Sequence, residues 1–330
     1  MSDQETVRQH FVPRVYLKNF SWKDGDKFLI DSAHVDNPSN SFTPNIKDIC
    51  VKNDFYTLSG GTEDERQLIE NFYRNVEEDY DVIYSNLVDT SVEEIESKEK
   101  QTIIAFITTL LFRNLSWVEK YNKFVEKTFK NAHELCQHNG TEKFKYLGKT
   151  ISFENRDFDQ VISDHLASLK EDQVTIQVDI AVRLANLRSK NNIFVTELGH
   201  EETNFITSDN PVVIHSDKKG FIMPGDPNNT LSLPLDNKFM LYLMPSSAFP
   251  FSAETNRILR DKKEGIICQT EKLTANFLQI KNAERFLLGT KSDIDKSIEQ
   301  KRINDETKDY QKPKNLADFA SLAKEIGLID

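Results

Sequence analysis

The sequence contains no GxxxxGKS or GxxxxGKT phosphate loop, no GxGxxG following a strand-like run, no HExxH and no GxSxG. The short motifs of P-loop NTPases, dinucleotide-binding folds, zinc hydrolases and α/β-hydrolases are therefore missing. Cysteine is scarce: Cys50, Cys136 and Cys268 are an odd number with no CxxC pair. That usage fits a reducing cytoplasm far better than a disulfide framework. No apolar run approaches the ~20 residues of a membrane-spanning helix. The opening MSDQETVRQ has no apolar signal core, so secretion and a membrane partner are not expected. Basic residues do not dominate either, with 42 Lys and Arg against 53 Asp and Glu and a net charge of -11. A general phosphate-coating surface is thereby disfavoured, and nucleic acid is compatible only with a local basic cleft. Internal repeats and low-complexity tracts are absent.

Bulky core material is present. The 330 residues include 22 Phe and 9 Tyr, so the chain can bury a core despite a hydrophobic fraction of 38%. KFLIDSAHV (27–35) alternates loosely as a strand, and NDFYTLSGG (53–61) reads as a short strand or loop closed by a turn. A helix begins near Thr62, where T-E-D-E resembles a capping box, and Leu68, Ile69, Phe72, Val76, Tyr80, Ile83 and Leu87 hold one face. A longer helix is expected over 97–138, with Ile103, Ile107, Leu110, Leu111, Leu115, Val118 and Leu135 inward and Asn139-Gly140 as its end. Residues 156–190 predict one or two more helices. Between 192 and 245 the texture changes to short β-branched or alternating runs, the mark of a mostly antiparallel sheet. Helices are expected again at 253–264 and 269–284, then a strand at RFLLG, and LADFASLAKEIGLI (316–329) reads as an amphipathic terminal helix.

The resulting expectation is an α+β fold, a helical N-terminal two-thirds packed with a mostly antiparallel sheet from the C-terminal third. It is read as one unit over 1–330: helix-rich 1–190, sheet-rich 191–290, and a charged, helical C-terminal extension at 291–330.

Four features could carry chemistry. In QHFVPRVYLKNF (9–20), Val12, Tyr16 and Phe20 recur every four residues, and Pro13 suits a first turn. A short docked helix would place Gln9 and His10 at its positive end, where a neutral imidazole is favoured. His10 then either anchors the terminus through backbone or serves a site. Glu70 and Glu77 share a helical stripe roughly 10 Å apart along the axis, too far for one metal ion on a straight helix. Each is either an ordinary paired carboxylate or a contributor to a composite site. Arg113 is the one charge in IIAFITTLLFRNLSW; buried, it needs a carboxylate, and Glu70, Glu77 and Asp209 are the candidates. It is a structural ion pair or an anion clamp. In TSDNPV (207–212), Ser208, Asp209 and Asn210 follow a strand end, as a site or as an Asx turn before Pro211.

Two other patterns fail. His133, Cys136 and His138 in HELCQH do not converge on a helix as zinc ligands must. KSIEQKRINDETKDYQKPK mixes both signs and reads as a solvated face.

These segments together resemble the bacterial DUF4238 family. QHFVPRVYLKNF is similar to its N-terminal pattern QH-x-V/I-P-x-x-YL-x-x-F, with Arg14 and Val15 where relatives often carry a less polar or aromatic residue. NDFYT, Glu70 and Glu77, Arg113, FITSDNPVV, LSLPLDNKFMLYL (231–243) and LTANFLQIKNAERFLLG (273–289, with Asn276) follow in the family's order, over roughly residues 9–290. The resemblance implies one chain-long unit and supplies no activity, cofactor or partner.

Two functional readings stand open. One is a hydrolase or nuclease-like phosphodiesterase in a defence or toxin setting. His10, Glu70, Glu77 and Asp209 would be its acid, base or metal-ligand groups, with a divalent metal compatible, and Gln9, Arg113, Ser208 and Asn210 would hold substrate. The other is a non-catalytic binding or adaptor protein, for an unknown ligand, in which the same residues form a buried structural network.

Overall fold

A computed structural model describes residues 8–58, 61–146, 148–168, 170–200, 203–216, 223–248 and 256–310. The amphipathic segment 316–329 lies outside them, as do two glycine-turn residues at 59–60.

Strands are not confined to the C-terminal third, and this overturns the α+β block arrangement: the architecture is mixed α/β with several sheets. Arg8–His10 pairs antiparallel with Val51–Asn53. Trp22–Asp24 pairs with Lys27–Leu29, and Lys143–Tyr146 with Lys149–Ser152. Asp31–His34 lies inside a four-stranded antiparallel sheet, between Ser41–Phe42 and Phe286–Gly289, with Thr207–Ser208 at the far edge. Most of these strands are two to four residues long. So few alternations cannot be separated from loop by periodicity, and chain-distant pairing decides them.

The larger sheet has five strands in the order Val213–His215, Thr230–Pro234, Phe239–Met244, Asn192–Leu198, Ile258–Lys263. All neighbours are antiparallel except the last pair. Of the helix expected over 253–264, residues 253–255 lie outside the described residues and 258–263 are a strand instead; ILRDKK has no strand alternation, and the neighbouring Asn192–Leu198 strand recruits it. One face presents Ile193, Val195, Leu231, Leu233, Leu241 and Leu243 to the main core, whose members run from Phe11 to Leu288. The opposite face meets the Gly265–Asn282 helix through Leu198, Met240, Cys268 and Ala275.

The capping box at Thr62 is present: its side chain accepts from the Glu65 N–H, and the Glu65 carboxylate accepts from the Thr62 N–H at 2.7 Å. Three short helices follow, Glu63–Arg66, Leu68–Glu77 and Tyr80–Val88. The long helix expected over 97–138 is instead two, Ser97–Phe112 and Leu115–His138. Asn114 makes the break by capping the second, its side chain accepting from the Trp117 N–H at 2.9 Å. The second helix therefore starts a new face, burying Val125, Phe129 and Cys136 in a separate small core, and Leu135 is 63% exposed rather than inward.

Outside the short Thr207–Ser208 strand, the segment 204–212 lacks regular pairing, and amide side chains of the Gly265–Asn282 helix bond several of its backbone groups. Asn276, Gln279 and Asn282 stand three residues apart, on one helical face. Asn276 accepts from the Ile206 N–H at 3.0 Å and donates to the Asn204 carbonyl at 3.0 Å. Gln279 donates to the Pro211 carbonyl at 2.7 Å, and Asn282 to those of Asn210 and Val212 at 2.6 and 3.0 Å. Unmade buried hydrogen bonds cost about 1–3 kcal/mol each. Asn276→Ala should therefore lower the unfolding free energy by about 3 kcal/mol in urea titration, whereas Lys281→Ala, on the exposed side, changes it by less than about 0.5 kcal/mol.

Candidate functional site

Arg113 sits at the C-terminal end of the Ser97–Phe112 helix, its N–H bonded to the Thr109 carbonyl at 2.8 Å. A cation is favoured there by the helix dipole, yet the residue is only 3% exposed and needs direct partners. The break that Asn114 imposes turns the side chain toward three segments. One terminal nitrogen donates to the Glu77 carboxylate in a close ion pair. The other donates to the His10 carbonyl at 2.5 Å, and Nε donates to the Tyr56 hydroxyl at 3.2 Å. That hydroxyl in turn donates to the Arg113 carbonyl at 3.1 Å. The guanidinium carbon lies 4.1 Å from the Tyr73 ring centre and 5.3 Å from that of Tyr56, so cation–π contact adds to the pairing. Burial opposes the charge on Arg113, but Glu77 and then the two tyrosines outweigh it and push its pKa upward. Burial keeps Tyr56 and Tyr73 neutral by raising their pKa values.

Gln9 and His10 belong to the short strand that delivers this carbonyl. Gln9 is fully buried; its oxygen accepts from the Tyr56 N–H at 2.5 Å and its nitrogen donates to the Thr57 hydroxyl at 3.0 Å. It thus fixes the loop that presents Tyr56 to Arg113. The His10 ring has its pKa lowered to about 4 by burial first, then by Arg14 and Arg113, while a hydrogen bond with the Ile46 backbone opposes. It is a neutral imidazole at pH 7, and its Nε2 is buried without a hydrogen-bond partner among the described residues. Glu70 stands within electrostatic reach of Arg113 without bonding it. Burial raises its carboxyl pKa, Arg113 opposes, and Glu77 adds to the rise. Its Oε2 also lacks a hydrogen-bond partner among the described residues.

The SDN segment forms a second cluster, which Asn114 links to the helix end at Arg113 by donating to the Asn210 side-chain oxygen at 3.0 Å. Asp209 is 1% exposed and accepts from the N–H groups of Glu284 and Arg285 at 2.9 and 3.0 Å. Burial raises its pKa against those backbone donors. Asp209 therefore caps the turn leading into Phe286–Gly289 and is not the partner of Arg113. Ser208 donates to Gln279 at 2.8 Å, and Asn210 donates to the Asn282 carbonyl at 3.0 Å. Tyr16 and Thr207 share a 2.6 Å hydroxyl contact, tying the N-terminal helix Arg14–Leu17 to the same strand.

The structure thus gathers Gln9, His10, Glu77 and Arg113 in one cluster and Ser208, Asp209 and Asn210 in another, with Glu70 beside the first. Sequence reasoning gave no site role to Tyr56, Tyr73, Asn114, Gln279 or Asn282, and it marked Asn276 only through the family resemblance. Asn114 had a signal, since an Arg-Asn pair interrupts an apolar run just where a cap could form. The three amides had one in their spacing of three. Tyr56 was marked only as part of NDFYT, one of the segments that resemble the family. Among the described residues, no group of three or more His, Cys, Asp and Glu side chains is placed to hold a metal ion.

The chain belongs to the family described as "Protein of unknown function (DUF4238)", which it matches over residues 8–293. No curated protein and no solved structure matches it.

If Arg113 and Glu77 act as a buried pair, removing one partner strands the other. Arg113→Met alone should cost about 3–5 kcal/mol of stability. Arg113→Met with Glu77→Leu should cost less than the two single changes summed, by about 1–3 kcal/mol in a double-mutant cycle read by denaturant unfolding.

Proposed function

We propose that this member of the family is a non-catalytic binding or adaptor protein, in which Gln9, His10, Glu77, Arg113, Ser208, Asp209 and Asn210 form a buried structural network within one unit spanning 1–330. One observation carries the reading: each of the three guanidinium nitrogens of Arg113 has a protein partner, in Glu77, His10 and Tyr56. A clamp for a substrate anion would have to give up the Glu77 pair first. Asp209 and Asn210 are likewise committed, to backbone groups of Glu284, Arg285 and Asn282. A cytoplasmic location belongs to the same proposal, supported by three free, buried cysteines. Among the described residues, no helix is long and apolar enough to cross a membrane.

A second reading, a hydrolase or nuclease-like phosphodiesterase acting in bacterial defence, is favoured by the two buried atoms without hydrogen-bond partners, His10 Nε2 and Glu70 Oε2. It uses the neutral imidazole as base beside a raised-pKa carboxyl. The two readings separate on His10→Ala, assayed for cell toxicity and phage restriction with folding checked by circular dichroism. The binding reading predicts an unchanged phenotype in a folded variant; loss of phenotype with the fold intact would support catalysis.

The same residue gives a pH prediction. Its pKa is about 4 in the folded chain against 6.5 as an unperturbed histidine, so on acidification the unfolded state takes the proton first. The contribution is complete above about pH 6.5 and declines as pH falls toward 4. Between pH 7.5 and 5, wild type should lose about 1–2 kcal/mol more stability than His10→Gln, measured by urea unfolding at both values.

A further inference from the structure

A groove opens between three helices: Leu68–Glu77, Ser97–Phe112 and Lys170–Leu187. Its volume is about 290 Å³, and its walls are Phe72 and Val76, Ile104 and Ala105, and Ala181 and Ala185. Thr108 and Thr109 also line it, but their hydroxyls bond back to the Ile104 and Phe106 carbonyls of their own helix at 2.9 Å. Gln101, Asn186 and Ser189 complete the lining, so the groove is predominantly apolar with a few polar side chains among its walls. The volume falls at or below the small end of ligand pockets, ~300–1,000 Å³, and suits an inserted side chain better than a whole cofactor.

Val182 of the groove lining and Leu68, one turn before Phe72, are both exposed to water, at 39% and 59%. Large side chains left in water beside a groove mark an interaction surface. The charge around the Leu68 wall is one-sided. Residues 62–79, which carry this wall, hold seven carboxylates against two basic side chains, and one of the seven, Glu77, is paired with Arg113. The carboxylates at the two ends of the wall, Asp64 and Glu65 before Leu68 and Glu78 and Asp79 after Val76, belong to exposed residues. On the facing helix, Asp179 and Arg183 neutralise one another at 2.7 Å. A partner must bring apolar side chains at helical spacing together with positive charge.

We propose that this groove docks a cationic amphipathic helix of a partner protein, one apolar side chain filling the cavity and flanking Lys or Arg meeting the carboxylates beside Leu68 and Val76. The inference rests on the binding reading above and gives that binding a place and a partner class.

The test uses the full chain and a fluorescein-labelled 14-residue peptide of leucine and lysine at helical spacing. A second peptide of identical composition has its leucines scattered around the helix. Fluorescence anisotropy should show saturable binding of the amphipathic peptide at least tenfold tighter than the scattered one, weakening as salt is added. Leu68→Ser and Val182→Ser, both at exposed positions, should each weaken it severalfold with unchanged circular dichroism. Glu78→Gln with Asp79→Asn should flatten the salt dependence. Equal binding of the two peptides, binding indifferent to Leu68→Ser and Val182→Ser, or no binding would each overturn the proposal. Failure here leaves the Arg113–Glu77 double-mutant cycle untouched, so a wrong groove and a wrong network reading give different results.

Discussion

A guanidinium taken out of water must be paired on every side, and the arrangement around Arg113 answers that constraint. Arg113 ends the Ser97–Phe112 helix, whose residues from Ile103 to Phe112 are almost all buried. An unpaired charge at that depth would cost several kcal/mol. Partners come from three separate segments: a carboxylate from the helix at 68–77, a hydroxyl from the loop at 54–57, and a backbone carbonyl from the strand at 8–10. Each must be held in place by something else, and the surrounding contacts do the holding.

The N-terminal segment illustrates the division of labour. Gln9 fixes the Tyr56 loop, His10 supplies its carbonyl, and the Phe11 ring packs edge-on against Phe55 at 6.4 Å with the Arg285 guanidinium 5.6 Å from its centre. Tyr16 reaches Thr207, and Asn19 donates to the Leu235 carbonyl at 3.2 Å. A segment of about a dozen residues thus touches the helical part, the four-stranded sheet and a turn of the five-stranded sheet. Its dense aromatics follow from that position: ordering a short bridging segment is entropically costly, and extensive burial offsets it.

What the residues disclosed in advance depended on how local the cause was. The capping box at Thr62, the strands of 192–244 and the helix near 269–282 are local patterns and could be read. The need of Arg113 for a carboxylate followed from one charge in an apolar run, and Glu77 was among the three candidates. Choosing Glu77 over Asp209 was beyond the sequence, because Asp209 is drawn to the backbone at 284–285 by a sheet pairing far along the chain. The same non-local pairing placed strands near the N-terminus and made a strand of 258–263. The helix break at Arg113–Asn114 was local but looked like a continuous apolar face, and with it went the inward assignment of Leu135.

The N-terminal strand, the Arg113 helix end and the SDN turn should behave as one cooperative structure. Native-state hydrogen exchange measures this directly, through the N–H groups of Tyr56, Arg113, Asp209 and Arg285, which bond to Gln9, Thr109, Phe286 and Asp209. All four should exchange only through the same large opening, with one shared free energy and denaturant dependence. Tyr56 exchanging through a small local opening, while Arg113 and Asp209 remain protected, would contradict it.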